Sequence, residues 1–184
     1  MTLRPKDAAS KGMSPAGLHR AAQAGRLERF ARGLYRPADA PATDLDWLEA
    51  AMRRPDATIC LTSALAYHDL VDDIPGTLDI AIPRGSRTPA TTGAINWHHF
   101  DRDTFTLGRT EIEIPGTDQL IGLYTAERSI ADAFRLRGDL GYEIGRDALK
   151  EWLRRGGKPS TLIELAAQLP RAKQPLLQTL QVMA

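Results

Sequence analysis

Between residues 14 and 36 the chain reads SPAGLHRAAQAGRLERFARGLYR, and His19, Arg20 and Gln23 are the side chains there that could read a base edge. Arginine matches guanine through two donors, glutamine matches adenine in the same bidentate way, and histidine adds a donor or acceptor. Around them Lys11, Arg26, Arg29, Arg32 and Arg36 supply positive charge suited to phosphates or the minor groove, and Ser14 adds a hydroxyl at the start. Base contacts specify a sequence and phosphate contacts position the protein on it, so the chemistry these types point to is recognition of duplex DNA.

Such contacts need a helix shown on one face. Ser14 can accept hydrogen bonds from the free amides of a first turn, Pro15 suits the first helical position, and Gly25 stands where a left-handed C-terminal cap belongs. Leu18, Ala21, Ala22 and Gly25 repeat at helical spacing as the buried stripe, leaving Ala16, His19, Arg20 and Gln23 on the outer face. Residues 26–30 and 34–36 read as two short strands around the turn at Gly33. Residues 5–11, with Ala8 and Ala9 on one side, form the expected supporting helix, joined to the next by a tight turn at residues 12–14. Helix, turn, helix and hairpin together spell a winged helix-turn-helix.

Charge is distributed to match. Residues 1–36 hold eight Lys or Arg against Asp7 and Glu28, a net of +6, while the whole chain is +1, so the other 148 residues carry −5. A DNA-facing end on a neutral-to-acidic body has this asymmetry. A composition 42% hydrophobic and 26% charged is that of an ordinary folded protein. No stretch has the apolar length of a membrane span, and the start lacks the apolar run of a signal peptide, so the expected compartment is the cytoplasm. The single cysteine, Cys60, excludes an internal disulfide and sits in an apolar run as a small core residue.

The non-periodic, proline-bearing residues 37–43 mark a boundary, giving a winged helix over 1–37 and a larger domain over 44–184. Asp44 caps a helix through Leu45, Leu48, Ala51 and Met52, and Ser63 is expected to cap another through Leu65, Ala66 and Leu70. Period-two alternation follows at Leu78, Ile80 and Ile82, at Ile95 and Trp97, and at Ile112 and Ile114. The last third returns to helices: one capped by Thr125 and stopped at Gly138, one over 143–155, one opened by Thr161, and one over 175–183. The fold class is therefore α+β, a winged helix-turn-helix followed by a mostly antiparallel sheet of three to five strands covered by helices.

No complete catalytic constellation emerges. A nuclease of the restriction-enzyme type needs an acidic residue and then Glu-x-Lys, but Glu111 is followed by Ile112 and Glu113, so Asp79, Glu111 and Glu113 read as outward carboxylates on half-buried strands. His98 and His99 are adjacent and point to opposite faces of a regular strand, which defeats a shared zinc; convergence of His68, His98 and His99 with Asp69 or Asp72 is the weaker alternative. No glycine-rich phosphate loop is present, and Pro83, Arg84, Gly85, Ser86 and Arg87 make a basic turn, either solvated or a docking point for phosphate or an acidic partner. Trp97 and Trp152 fit core positions and Trp47 a packed interface. No enzyme, no metal and no cofactor are expected.

In this order several runs resemble the AbiEi-type antitoxins of type IV toxin-antitoxin systems. They are Gly25-Arg26-Leu27-Glu28-Arg29 leading to Arg32-Gly33-Leu34-Tyr35, then Ser63-Ala64-Leu65-Ala66-Tyr67-His68 ending in Asp73-Ile74-Pro75. Ile80-Ala81-Ile82-Pro83-Arg84-Gly85 and Thr125-Ala126-Glu127-Arg128-Ser129-Ile130-Ala131-Asp132 extend the likeness. The resemblance implies an N-terminal winged helix that binds operator repeats upstream of its own gene as an autorepressor, and a larger domain that counters a toxin of the nucleotidyltransferase class. Members of that family usually carry a further helix before the supporting helix; here only residues 1–4 precede it, so either the start of this chain is late or the expected winged helix lacks its first helix. A homodimer on two half-sites is one expectation; a protein-interaction module that sequesters a partner without binding DNA is the alternative function.

Overall fold

A computed structural model describes residues 2–4, 8, 12–72 and 75–183. Helix α1 covers Pro15–Gln23, and the hairpin β1 (Leu27–Ala31) and β2 (Leu34–Pro37) follows it directly. Of the supporting helix expected over residues 5–11 only Ala8 is described, fully buried and with its N–H bonded to the Arg4 carbonyl; Lys11 lies outside the described residues. Leu3 pairs with Tyr35 through N–H to carbonyl bonds of 2.8 and 3.0 Å, which adds a bridge to the outer edge of β2. Leu3, Ala8, Leu18 and Tyr35 make a small apolar cluster of their own.

Beyond the connecting residues come α2 (Leu45–Arg53), β3 (Thr58–Ile59), α3 (Leu61–Tyr67), β4 (Leu78–Pro83) and β5 (Ile95–Phe100). A short 3-10 turn at Arg102–Thr104 leads to β6 (Arg109–Glu113) and β7 (Leu120–Tyr124). Five helices close the chain: α4 (Ala126–Arg135), α5 (Arg137–Leu140), α6 (Tyr142–Arg154), α7 (Pro159–Ala167) and α8 (Lys173–Met183). The five strands lie in the order β5-β4-β3-β7-β6. This sheet is mixed rather than mostly antiparallel, because β4 with β5 and β3 with β7 run parallel while β3 with β4 and β6 with β7 run antiparallel. Parallel pairing needs a crossover: residues 84–94 carry the chain from β4 to β5, and residues 60–119, with α3 and three strands among them, carry it from β3 to β7.

Each face of the sheet has its own cover. Ile59, Ile80, Ile121 and Leu123 pack against Leu48, Ala50 and Met52 of α2 and against Ala31 and Leu34 of the hairpin. On the other face Ala81, Phe100 and Tyr124 meet Cys60, Leu61 and Phe105, and beyond them Ile130, Phe134, Leu149, Trp152 and Leu176 join α4, α6 and α8. Helix α4 is central: Ile130, Ala133 and Phe134 point inward as their spacing predicts, but Arg128, Ser129 and Asp132 are buried as well.

Several boundaries differ from the sequence expectation. Helix α3 starts at Leu61 with Cys60 in the cap position, so Ser63 is not its cap; its hydroxyl accepts the Asp79 N–H at 2.8 Å instead. Gly138 does not stop a helix but lies within α5, and the left-handed break falls at Gly141, φ 89°. Helix α7 opens at Pro159, two residues before Thr161, whose hydroxyl donates to the Lys158 carbonyl at 2.8 Å, and α8 opens at Lys173. Asp79 is no outward carboxylate: it is 6% exposed and takes hydrogen bonds from Thr62, from Asn96 at 3.3 Å and from His98 at 2.8 Å. Glu111 and Glu113 are exposed as expected.

Candidate nucleic-acid interface

Helix α1 is built as its residues dictate. Ser14 holds an extended backbone and its Oγ accepts the Gly17 N–H at 3.1 Å, with Pro15 at the first helical position. At the other end Gly25, φ 69°, lets its own N–H reach the Ala22 carbonyl and the Arg26 N–H reach that of Ala21, the double bond of a Schellman cap. The helix is thus fixed at both ends in one turn-to-turn length.

Its two faces separate cleanly. Leu18 is fully buried and Ala21 nearly so, whereas Ala16, His19, Arg20 and Gln23 are all exposed. No described residue engages the side chains of His19, Arg20 or Gln23, so their donors and acceptors face outward unspent on the protein itself. Of the stripe expected from the sequence, Leu18 and Ala21 are buried, Ala22 is half-buried, and Gly25 is exposed at the cap.

The arginines behind the helix divide into two kinds. Arg26, Arg29 and Arg32 are exposed; Arg29 makes one long contact of 3.4 Å to the Ala31 carbonyl, and Arg26 and Arg32 engage no described residue through their guanidinium groups. Arg36 is turned back on the protein, ion-paired to Glu28 at 2.8 Å across the hairpin and donating to the Pro41 carbonyl at 3.2 Å. The register places it there, since Glu28 is the direct cross-strand partner of Arg36. Gly33, φ 73°, makes the tight turn at the wing tip that leaves Arg32 projecting.

Three residues outside the recognition pattern hold this head in place. Arg4 donates from Nη1 to the Met52 carbonyl at 3.0 Å, and Arg53 donates from Nη2 to the Arg32 carbonyl at 3.0 Å. Glu49, 2% exposed, pairs with Arg53 at 2.9 Å. The Glu49 and Arg53 spacing of four on a helix is legible as a local pair, but nothing in the sequence signals its reach to the wing.

Other candidate chemistry stays apart from this surface. The imidazoles of His98 and His99 go to different partners, Asp79 and the Thr88 hydroxyl, on the two faces of β5, and His68 contacts the Tyr124 carbonyl. Among the described residues no group of three or more His, Cys, Asp or Glu could hold a metal ion. None of the helices there is long and apolar enough to cross a membrane. Cys60 is fully buried, and burial pushes its thiol well above the ordinary range, as befits a core residue.

No curated protein matches the chain. The head, however, has a recognisable counterpart: residues 2–38, which take in Leu3, the helix α1 and the whole hairpin, match the model of the family described as Transcriptional regulator, AbiEi antitoxin, and to that family this part of the chain is similar.

Proposed function

We propose that the protein is an antitoxin of a type IV toxin-antitoxin system that binds operator repeats upstream of its own gene and represses its operon, countering a nucleotidyltransferase-type toxin. The reading is carried by one observation: a capped helix with a buried inner stripe exposes His19, Arg20 and Gln23 together, on a segment similar to a family of transcriptional regulators. The helix enters the major groove through these side chains and Ser14, and Lys11 is a further DNA contact. The wing lays Arg26, Arg29 and Arg32 on phosphates or in the minor groove, Arg36 supporting it through Glu28. A dimer reads two half-sites. The countered toxin is a proposal from resemblance alone.

The test is binding of the purified protein to its own upstream DNA and to a scrambled duplex of equal length across a salt series. Preference for the upstream fragment is expected, with a steep fall in affinity as salt rises because each neutralised phosphate contributes a slope of about 0.9. Weak, equal binding to both duplexes refutes the repressor reading and favours a partner-sequestering module. That second reading draws on a groove of about 1120 Å³ between the segment after α3 and α6, lined by Asp69, Asp72, Glu143, Asp147 and Lys150 among others.

A further inference from the structure

The wing tip is fastened to the body from a helix that takes no part in the DNA-reading pattern. Asp46, Glu49 and Arg53 stand at i, i+3 and i+7 on α2 and form one stripe along it. At its first end the stripe grips the segment entering β5: Glu49 accepts the Thr92 N–H at 2.9 Å and the Gly93 N–H at 2.9 Å, and a side chain on Gly93 would meet Asp46 Oδ1 at 2.0 Å. At its second end Arg53 uses Nε and Nη2 on Glu49, at 3.2 and 2.9 Å, and the same Nη2 on the Arg32 carbonyl at 3.0 Å. Ala31 and Leu34, flanking that carbonyl, are buried with Leu48 and Met52 of the same helix.

We propose that α2 is the mount of the wing and that Arg53 is a positioning residue for DNA recognition, acting through the Arg32 backbone rather than by touching DNA. Glu49 is its anchor. The buried carboxylate is held in place by two backbone amides, and Arg53 satisfies it and the wing carbonyl together. Nη2 reaches both acceptors while Nε holds the group on Glu49; a lysine ammonium stands one heavy atom shorter and has no second nitrogen to fix it there. The wing then meets the duplex already ordered, which lowers the cost of binding. The consequence for DNA rests on the regulator reading above; the mount itself rests on geometry alone.

The full-length protein tests both, through hydrogen exchange at the amides of residues 31–35 and through the salt series on upstream DNA. Arg53→Ala is expected to speed wing-tip exchange by about tenfold, the loss of one hydrogen bond from a charged donor. Upstream affinity is expected to drop about five- to tenfold with an unchanged salt slope, since no phosphate contact is lost. Arg53→Lys, which keeps a charge beside Glu49, is expected to keep the melting temperature but not the wing protection, and it reads the mount if the alanine variant fails to fold. Wild-type exchange in both variants overturns the mount, as does a loss of protection spread equally over α4. A slope reduced by about one unit makes Arg53 a phosphate contact instead and overturns the positioning role. If the unaltered protein shows no preference for upstream DNA, the regulator reading falls while the exchange measurement still judges the mount.

Discussion

Arg20 and Arg32 carry the same group and are expected to do different work with it. Arg20 stands on the outer face of α1 between His19 and Gln23, on a backbone capped at both ends, so the helix presents it outward where it can meet a base edge. Arg32 projects from a turn whose carbonyl is fastened but whose side chain engages no described residue. Arg20→Ala is therefore expected to cost about 1 to 3 kcal/mol on the operator and little on random DNA, whereas Arg32→Ala weakens both alike and lowers the salt slope by about one unit. Parallel titrations of the two variants on both duplexes check this; equal losses on operator and random DNA for Arg20→Ala would remove it from base reading.

At the scale of elements, the buried Asp79 binds three of them together. Thr62 of α3, Asp79 of β4, and Asn96 and His98 of β5 converge on one carboxylate, which is 6% exposed. Burial pushes this carboxyl up, but the hydrogen bonds of His98 and Thr62, the His98 charge and Asn96 outweigh it and hold it below the usual carboxylate range. A folded-state value below the unfolded one means the stabilisation is present above the ordinary carboxylate pKa of about 4 and is lost as pH falls through the depressed value. Asp79→Ala, which removes the shared acceptor from three donors that are themselves partly open to water, is expected to cost about 1 to 2 kcal/mol at neutral pH. Urea melts at pH 7 and below pH 4 check it: the gap between the variant and the unaltered protein should narrow on the acid side, and a gap that persists would show that packing, not charge, holds these elements.

Elements differ in how far the sequence discloses them, for physical reasons visible in single residues. The caps of α1 at Ser14 and Gly25, of α2 at Asp44 and of α4 at Thr125 are local hydrogen-bonding signals, and each occurs where it was expected. Strand β7 escapes because Ile121, Gly122, Leu123 and Tyr124 are buried on both faces, so no alternation marks it. Helix α3 begins at Leu61, φ 48°, after a cysteine with no capping bond, so it announces no start. Periodicity marks charged residues as outward, which hides the fully buried pair of Arg128 and Asp132, 2.8 Å apart, whose arginine stacks over Tyr124 at 4.4 Å and secures the Thr104 and Leu107 carbonyls. At the candidate interface the exposed face of α1 is legible from spacing alone, whereas the partnership of Arg36 with Glu28 follows from hairpin register and that of Arg53 with Arg32 from long-range packing.

Across the whole molecule the head and the body share an apolar core, and this sets how the protein should unfold. The head's own cluster of Leu3, Ala8, Leu18 and Tyr35 is small, while Ala31 and Leu34 belong to the cluster formed by Leu48, Ile80, Ile121 and Leu123. So few apolar residues bury too little surface to fold alone, and the hairpin's order depends on the sheet and α2 beneath it. One cooperative calorimetric transition is expected for residues of both parts. Leu34, 2% exposed, is the side chain to test because it points into the shared cluster and away from every proposed DNA contact. Leu34→Ala removes about 2 to 4 kcal/mol of packing. For a chain of this size that lowers the melting temperature by roughly 5 to 12 °C, and the single transition should move as a unit. Two transitions, with only the lower one displaced, would mean instead that the wing is ordered on its own and that the core it touches merely carries it.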